Sequence, residues 1–295
     1  MSLRVRSALA DGIPRAFRRN GWILIGTYLL ISLLQGGLVL MVSTTALPLD
    51  SFAAPAAGGQ MPSPGTQLPP LISLQAVLIA SFTGGFLTIP VLVVASRALV
   101  SQFTDHIPEE FVFHRLGWAS VNSFLGSWIV SIVVSGLTIG LFVLAGWGLF
   151  RLADQSTLLY LISTWPGRAL LVGACLVLFI PGAFLGVNLI FVGQEVAVRD
   201  KNVIGAIIGS WRLTRHNRIR LLALAFVLLI PHMILSVGLS EFLPPLPAQI
   251  LVLIESAIVQ IAILAIMARA YVQLHDDETG LSPPYLSKTA DDQRI

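Results

Sequence analysis

The chain has 295 residues, 55% hydrophobic and only 11% charged, with a mean hydropathy of +0.84. Soluble domains carry about 25% charged residues, so a wholly water-exposed surface is excluded and lipid must be the solvent for much of the chain. The net charge is +3, but the basic residues flank apolar runs, which points to membrane lipids and not to nucleic acid.

The first twenty residues are basic, with Arg4, Arg6, Arg15, Arg18 and Arg19, and read as a cytoplasmic interfacial helix (1–20). An uncharged run follows at 21–42, too long and too late for the apolar core of a secretory signal. Residues 43–70 carry one charge, Asp50, and six prolines, which predicts an extended outer loop. Further apolar runs lie near 71–96, 121–150, 169–194, 221–240 and 247–268. Each reaches the roughly 20 residues that a helix needs to cross the hydrocarbon core. The runs are continuous and not alternating, so helices and not barrel strands must satisfy the backbone. From Gln273 the sequence turns polar, with Pro283 and Pro284, and predicts a disordered cytoplasmic tail.

The expected fold is therefore an all-α integral membrane protein with six transmembrane helices in three hairpins. Orientation follows from charge: sixteen Lys and Arg residues fall on one side of the six runs and two, Arg151 and Arg168, on the other. The positive-inside rule then puts both termini in the cytoplasm.

An internal repeat supports three units, each an interfacial helix followed by a hairpin. Gly12-x-x-Arg15-x-x-Arg18-x-Asn20 precedes the first run, and Gly209-x-x-Arg212-x-x-Arg215-x-Asn217 precedes the fifth, 197 residues later. A weaker echo, Gly117 to Ser120, precedes the third. Ile204, Ile207, Ile208 and Trp211 fall on one helical face. Arg15, Arg18, Arg19, Arg212 and Arg215, with Trp211, are thus candidates for contact with lipid headgroups, although anchoring alone would explain them. Small residues at four-residue spacing, among them Gly182 and Gly186, predict close helix packing within a bundle or a dimer.

Ionisable groups inside the runs are few. Glu255 is the sharpest, because a charge in a span is costly and is a functional candidate by default. His232 and Glu255 lie at similar distances on either side of the turn at Pro244 and Pro245, so an antiparallel hairpin brings them to one depth. Such a pair can share a proton or bind a cation; a plain structural hydrogen bond is the blander alternative. Asn188 and Gln260 are further intramembrane polar candidates. Glu110 and His114 are metal-capable, as is His106, but Pro108 suits a first helical position and separates His106 from the helix. The lone Cys175 makes no internal disulfide, and no zinc spacing, Walker loop, H-E-x-x-H or G-x-S-x-G pattern occurs, so no metal, cofactor or catalytic site is expected.

Residues 191–215, with Glu195, Arg199, Ala206, Ser210 and Arg215, form a polar break, an Ala-x-x-x-Ser helix and a basic lead into the next span. This stretch resembles uncharacterised archaeal and bacterial six-helix membrane proteins related to the glycerophosphodiester phosphodiesterase membrane domain. The resemblance implies the six-helix layout and no established activity, since the catalytic barrel fused to some relatives has no counterpart here. The function expected is a non-enzymatic scaffold, assembly or regulatory factor of the cell membrane, with membrane lipids and a membrane-protein partner or a second copy as partners. The alternatives are a secondary transporter or ion pathway through Glu255 and His232, and a lipid-handling enzyme with Glu109, Glu110, His114 or Glu195 gathered at the cytoplasmic interface.

Overall fold

The computed structural model describes residues 3–46, 86–101, 107–152 and 154–279. All regular structure among them is helical: α1 (Val5–Ala16), α2 (Arg19–Ala46), α3 (Phe86–Val100), α4 (Glu109–Phe113), α5 (Leu116–Leu152), α6 (Gln155–Ser163), α7 (Trp165–Asn188), α8 (Val192–Arg199), α9 (Val203–Thr214), α10 (Arg218–Phe242) and α11 (Pro245–Thr279).

Four helices, not six, are long and apolar enough to cross a membrane among the described residues: Leu116–Arg151, Trp165–Arg199, Arg218–Phe242 and Pro247–His275. The first expected span lies within α2, whose side chains are described only as far as residue 37. The second is represented only by α3, because 71–85 lie outside the described residues, as does the proline-rich stretch from 47. The expected disordered tail is corrected at its start. Helix α11 continues to Thr279, since Tyr271, Leu274 and His275 are buried and Gln273 bonds back to the N-terminus. Pro283 and Pro284 lie outside the described residues.

Local chemistry sets several helix ends. Thr164 caps α7 by accepting from the Gly167 N–H, and Asn202 caps α9 by accepting from Gly205. Pro108 stands at the N-cap of α4, one residue before the first helical position expected for it, and leaves Glu109 and Glu110 in the first turn, where the helix dipole favours them. The short α6 was not foreseen; Asp154 caps it.

The buried core sits at one end of the bundle. Phe191, Leu221, Leu224, Ile261 and Tyr271 are wholly enclosed there, while α5 and most of α7 and α10 expose their aliphatic side chains. Helix α1 lies against α11, so closely that a Cβ on Gly12 would fall 2.6 Å from the Ile266 Cα. The Ser7 hydroxyl accepts from Gln273 at 2.8 Å, so both ends of the described chain lie at the same end of the bundle. Gly182 and Gly186 face Thr138 and Val134 of α5, so this small-residue pair serves packing within the chain.

Exposed aromatics occur at both ends of the bundle, with Trp128, Phe179 and Phe226 exposed between them. Phe17, Trp22, Phe113, Trp118 and Trp211 ring the core end; Trp147, Phe150, Trp165 and Phe242 ring the other. Trp118 and Trp147 are both on α5, and at 1.5 Å per residue their separation is roughly 44 Å, the interface-to-interface thickness of a bilayer. Four helices long and apolar enough to cross a bilayer make this a membrane-embedded protein.

Candidate functional site

The polar groups of the core end form three connected clusters around α8. In the first, Glu195 is 1% exposed and forms an ion pair with Lys201, while the Tyr271 hydroxyl donates to its other oxygen at 3.0 Å. A charge this deeply buried is tolerable only when paired and hydrogen-bonded. Gly209 makes room for the pair: a Cβ there would lie 2.5 Å from Glu195 Oε2 and 2.8 Å from Lys201 Nζ. Tyr271 also packs on Phe191 and stacks on His275, with ring centroids 5.7 and 5.5 Å away.

The second cluster centres on Arg97, which is 4% exposed. Its guanidinium donates to the Ala197 carbonyl at 2.6 Å, to the Phe111 and His114 carbonyls at 3.2 and 2.7 Å, and to Asp200 Oδ1 at 3.2 Å. The other Asp200 oxygen lies 3.0 Å from His114 Nε2. Asp200 ends α8 at φ +52°, a left-handed position usually filled by glycine or asparagine. The carboxylate gives this residue a use that glycine would lack, tying α3, α4 and α8 together.

The third cluster explains the Ala-x-x-x-Ser pattern. The apolar run expected as one span breaks after Asn188, and its freed backbone groups are met by α9. The Ser210 hydroxyl donates to the Asn188 carbonyl at 2.8 Å and accepts from the Phe191 N–H at 3.2 Å. Thr214 reaches the Asn188 side-chain oxygen at 3.4 Å, and the Asn188 amide donates to the Phe184 carbonyl at 2.6 Å. Ala206 is fully buried one turn before Ser210, so the pattern is a small-residue face with one hydroxyl for the break.

His232 and Glu255 meet. The imidazole Nδ1 lies 2.8 Å from Glu255 Oε1, and the Ser236 hydroxyl donates to Oε2 at 3.1 Å. The pair bridges α10 and α11 away from the core end, with Glu255 8% exposed. Gln260 and Asn188 do not join it: Asn188 serves the break, and Gln260 lines a cavity between α3, α5, α8 and α11.

The interfacial candidates separate. Arg18, Arg19, Trp211, Arg212 and Arg215 are exposed at the core end. Arg15 is half-buried and donates to the Leu99 and Ser101 carbonyls at 3.4 and 2.6 Å, meeting carbonyls that the end of α3 leaves open. Both copies of the nine-residue pattern cross the joint between a short helix and a long one, α1 to α2 and α9 to α10. On α9, Ile204, Ile208 and Trp211 point outward. Arg218, which sequence reasoning passed over, lies 4.7 Å from the Phe184 ring and 5.3 Å from the Trp211 ring. The residues considered for an enzyme have separate partners: Glu195 pairs with Lys201 and His114 with Asp200, while Glu109 and Glu110 are exposed. Among the described residues no group of three or more His, Cys, Asp or Glu side chains is placed for a metal ion.

The model of a family described as a domain of unknown function (DUF7847) matches residues 3–274. The match carries no link to the glycerophosphodiester phosphodiesterase membrane domain. No curated protein matches the chain, and no solved structure does.

Proposed function

We propose, from the premise that the chain belongs to the DUF7847 family, that it is a non-enzymatic scaffold, assembly or regulatory factor of the cell membrane. The observation that supports this reading best is the contrast between the two ends. At the core end, Arg97, Asn188, Glu195, Asp200, Lys201 and Ser210 lock five helices into one polar layer. That layer presents Ile204, Ile208, Phe113 and Trp211 outward beside exposed arginines. A fixed surface carrying apolar anchors is what a docking platform requires.

The full topology belongs to the same proposal. Helices α2 and α3 join the four long helices to give six crossings, an even number, in keeping with the contact between Ser7 and Gln273. The sixteen-to-two distribution of basic residues favours the cytoplasm for that end. We read the likeness of residues 191–215 to the glycerophosphodiester phosphodiesterase membrane domain as a shared way of joining spans, without a shared activity.

The test is gentle purification from the native membrane with mass spectrometry of what remains bound. A protein partner should be retained stoichiometrically by the wild type and lost by the double variant Ile204→Ser, Ile208→Ser at equal expression. Absence of any stoichiometric partner rejects the scaffold.

The close contact of His232 with Glu255 favours a second reading, proton- or cation-linked transport through the α10–α11 hairpin. It predicts flux in proteoliposomes that disappears in Glu255→Gln while the fold persists. Unchanged flux in that variant removes the assignment.

A further inference from the structure

The cavity that Gln260 lines has a volume of about 360 Å³, within the range of ligand pockets. It lies between α3, α5, α8 and α11, beside the break that follows α7. Six polar side chains face it: Ser96, Ser123, Ser127, Ser131, Gln194 and Gln260. The rest of the wall is glycine and aliphatic, and none of its residues is charged.

Three of these polar groups lack partners. Ser96, Ser123 and Gln194 are 5%, 6% and 6% exposed, yet their side chains make no hydrogen bond among the described residues; the Ser123 hydroxyl is fully enclosed. A carboxamide offers two donors and two acceptor lone pairs, and a hydroxyl offers both functions. Leaving such groups unpaired at membrane depth is costly. Asn188 and Ser210, as deeply buried beside the break, are satisfied by neighbours, while the Ser120 hydroxyl outside the cavity is enclosed without a partner among the described residues. The cavity therefore carries hydrogen-bonding capacity that the chain does not use on itself.

We propose that this cavity binds the hydroxyl-bearing head of an uncharged lipid of the diacylglycerol class. A hydroxyl can donate to a Gln carbonyl and accept from a Gln amide or a Ser hydroxyl. A phosphate or carboxylate would be desolvated here without a counter-charge, so the wall discriminates against charged heads. The aliphatic remainder suits the first methylenes of the chains. Ser127 and Ser131 are exposed on α5, so the cavity reaches the flank of that helix. Ser127 lies eleven residues from the start of α5, roughly 16 Å along its axis. An entrance at that depth admits a lipid directly, whereas a free polyol from water would first have to cross apolar surface. The inference rests on membrane embedding and not on the scaffold reading.

The experiment is equilibrium binding of tritiated dioctanoylglycerol to the full chain in phosphatidylcholine nanodiscs. Saturable binding at one per chain is expected, with no competition from free glycerol or from phosphatidic acid of the same chain length. Gln194→Leu and Gln260→Leu should each weaken binding about tenfold, the loss of one or two hydrogen bonds to a buried partner. Ser131→Trp, at the exposed lip, should abolish binding while leaving thermal unfolding unchanged, and it serves even where Gln194→Leu fails to fold. Absence of saturable binding, or binding indifferent to Ser131→Trp, overturns the proposal. Displacement by free glycerol overturns the lipid assignment in favour of a polyol, and displacement by phosphatidic acid overturns the selection for neutral heads.

Discussion

Glu195 and Glu255 are both buried carboxylates in a chain poor in charge, and they are held in opposite ways. Glu195 faces a lysine, a tyrosine hydroxyl and the backbone of Gly209, in the layer where five helices converge. Glu255 faces an imidazole and one serine hydroxyl, between α11 and α10, and α10 exposes most of its aliphatic side chains. The lysine ammonium and the tyrosine hydroxyl together hold both oxygens of Glu195 across α8 and α11, while the imidazole and the serine that hold Glu255 both come from α10. The first arrangement fixes geometry. The second joins only α10 and α11, away from the layer where the other helices converge. Position in the fold, and not burial alone, decides what a charged group can be used for.

The comparison breaks most readily at Lys201. Lys201→Met leaves Glu195 buried without its cation, a change that costs roughly 3–5 kcal/mol in enclosed pairs. Lys201 is 31% exposed, so the lower end, about 3 kcal/mol, applies. Denaturant unfolding in detergent should register it as a large drop in midpoint. A near-neutral result would mean that the layer is not held by its charges. Ser210→Ala should come next. It strands the Phe191 N–H and takes a donor from the Asn188 carbonyl, at about 1–3 kcal/mol. Hydrogen exchange should then rise at residues 189–192 before it rises elsewhere.

Glu255→Gln sharpens the other side. The carboxamide keeps an acceptor for His232 and leaves the core end untouched, so about 1 kcal/mol is the expected loss. If this variant destabilises as much as Lys201→Met, the α10–α11 pair is a structural element of the same kind as Glu195, and the division between the two ends falls.

The legibility of the chain follows the same division. Apolar length alone gave α5, α7, α10 and α11, because lipid imposes one requirement on every spanning residue. The meeting of His232 with Glu255 was readable because the turn at Pro244 and Pro245 fixes the register of an antiparallel hairpin by counting. The break after Asn188 was not readable as a break. The run 169–194 is continuously apolar, and the hydroxyl that satisfies the opened backbone comes from Ser210, on a different helix. Arg97 was also missed, since counting charges for orientation treats every arginine as a surface residue. Its signal was its setting: apolar residues follow it at Ala98, Leu99 and Val100 as well as preceding it, and an arginine so enclosed must find buried acceptors. The two copies of the Gly-Arg-Arg-Asn pattern were visible, but not that Arg15 would turn inward to the end of α3 while Arg212 stays exposed. Such differences depend on which neighbour happens to lie within reach.

The smallest expected effect lies at the far end from the core, at Asp154. Its carboxylate accepts from the Thr157 N–H at 3.0 Å and from the Ser156 hydroxyl at 2.5 Å, and so caps α6. The Ser156 and Thr157 hydrogen bonds hold its pKa down from the usual 3.8 to about 2. A carboxylate with a depressed folded-state pKa stabilises the fold above its ordinary pKa and loses that contribution as the pH falls through the folded value. The cap should therefore be complete above pH 3.8 and fade toward pH 2. Because Asp154 is fully exposed, the effect stays local: amide exchange should quicken over residues 155–158 at low pH, with global unfolding unmoved. Asp154→Asn keeps the capping oxygen and should remove the pH dependence while preserving the helix start; Asp154→Ala should fray it at every pH. If Asp154→Ala instead lowers global stability, the outer end of the bundle is coupled to the core end as one cooperative unit, and the contrast between the carboxylates must be sought within a rigid whole.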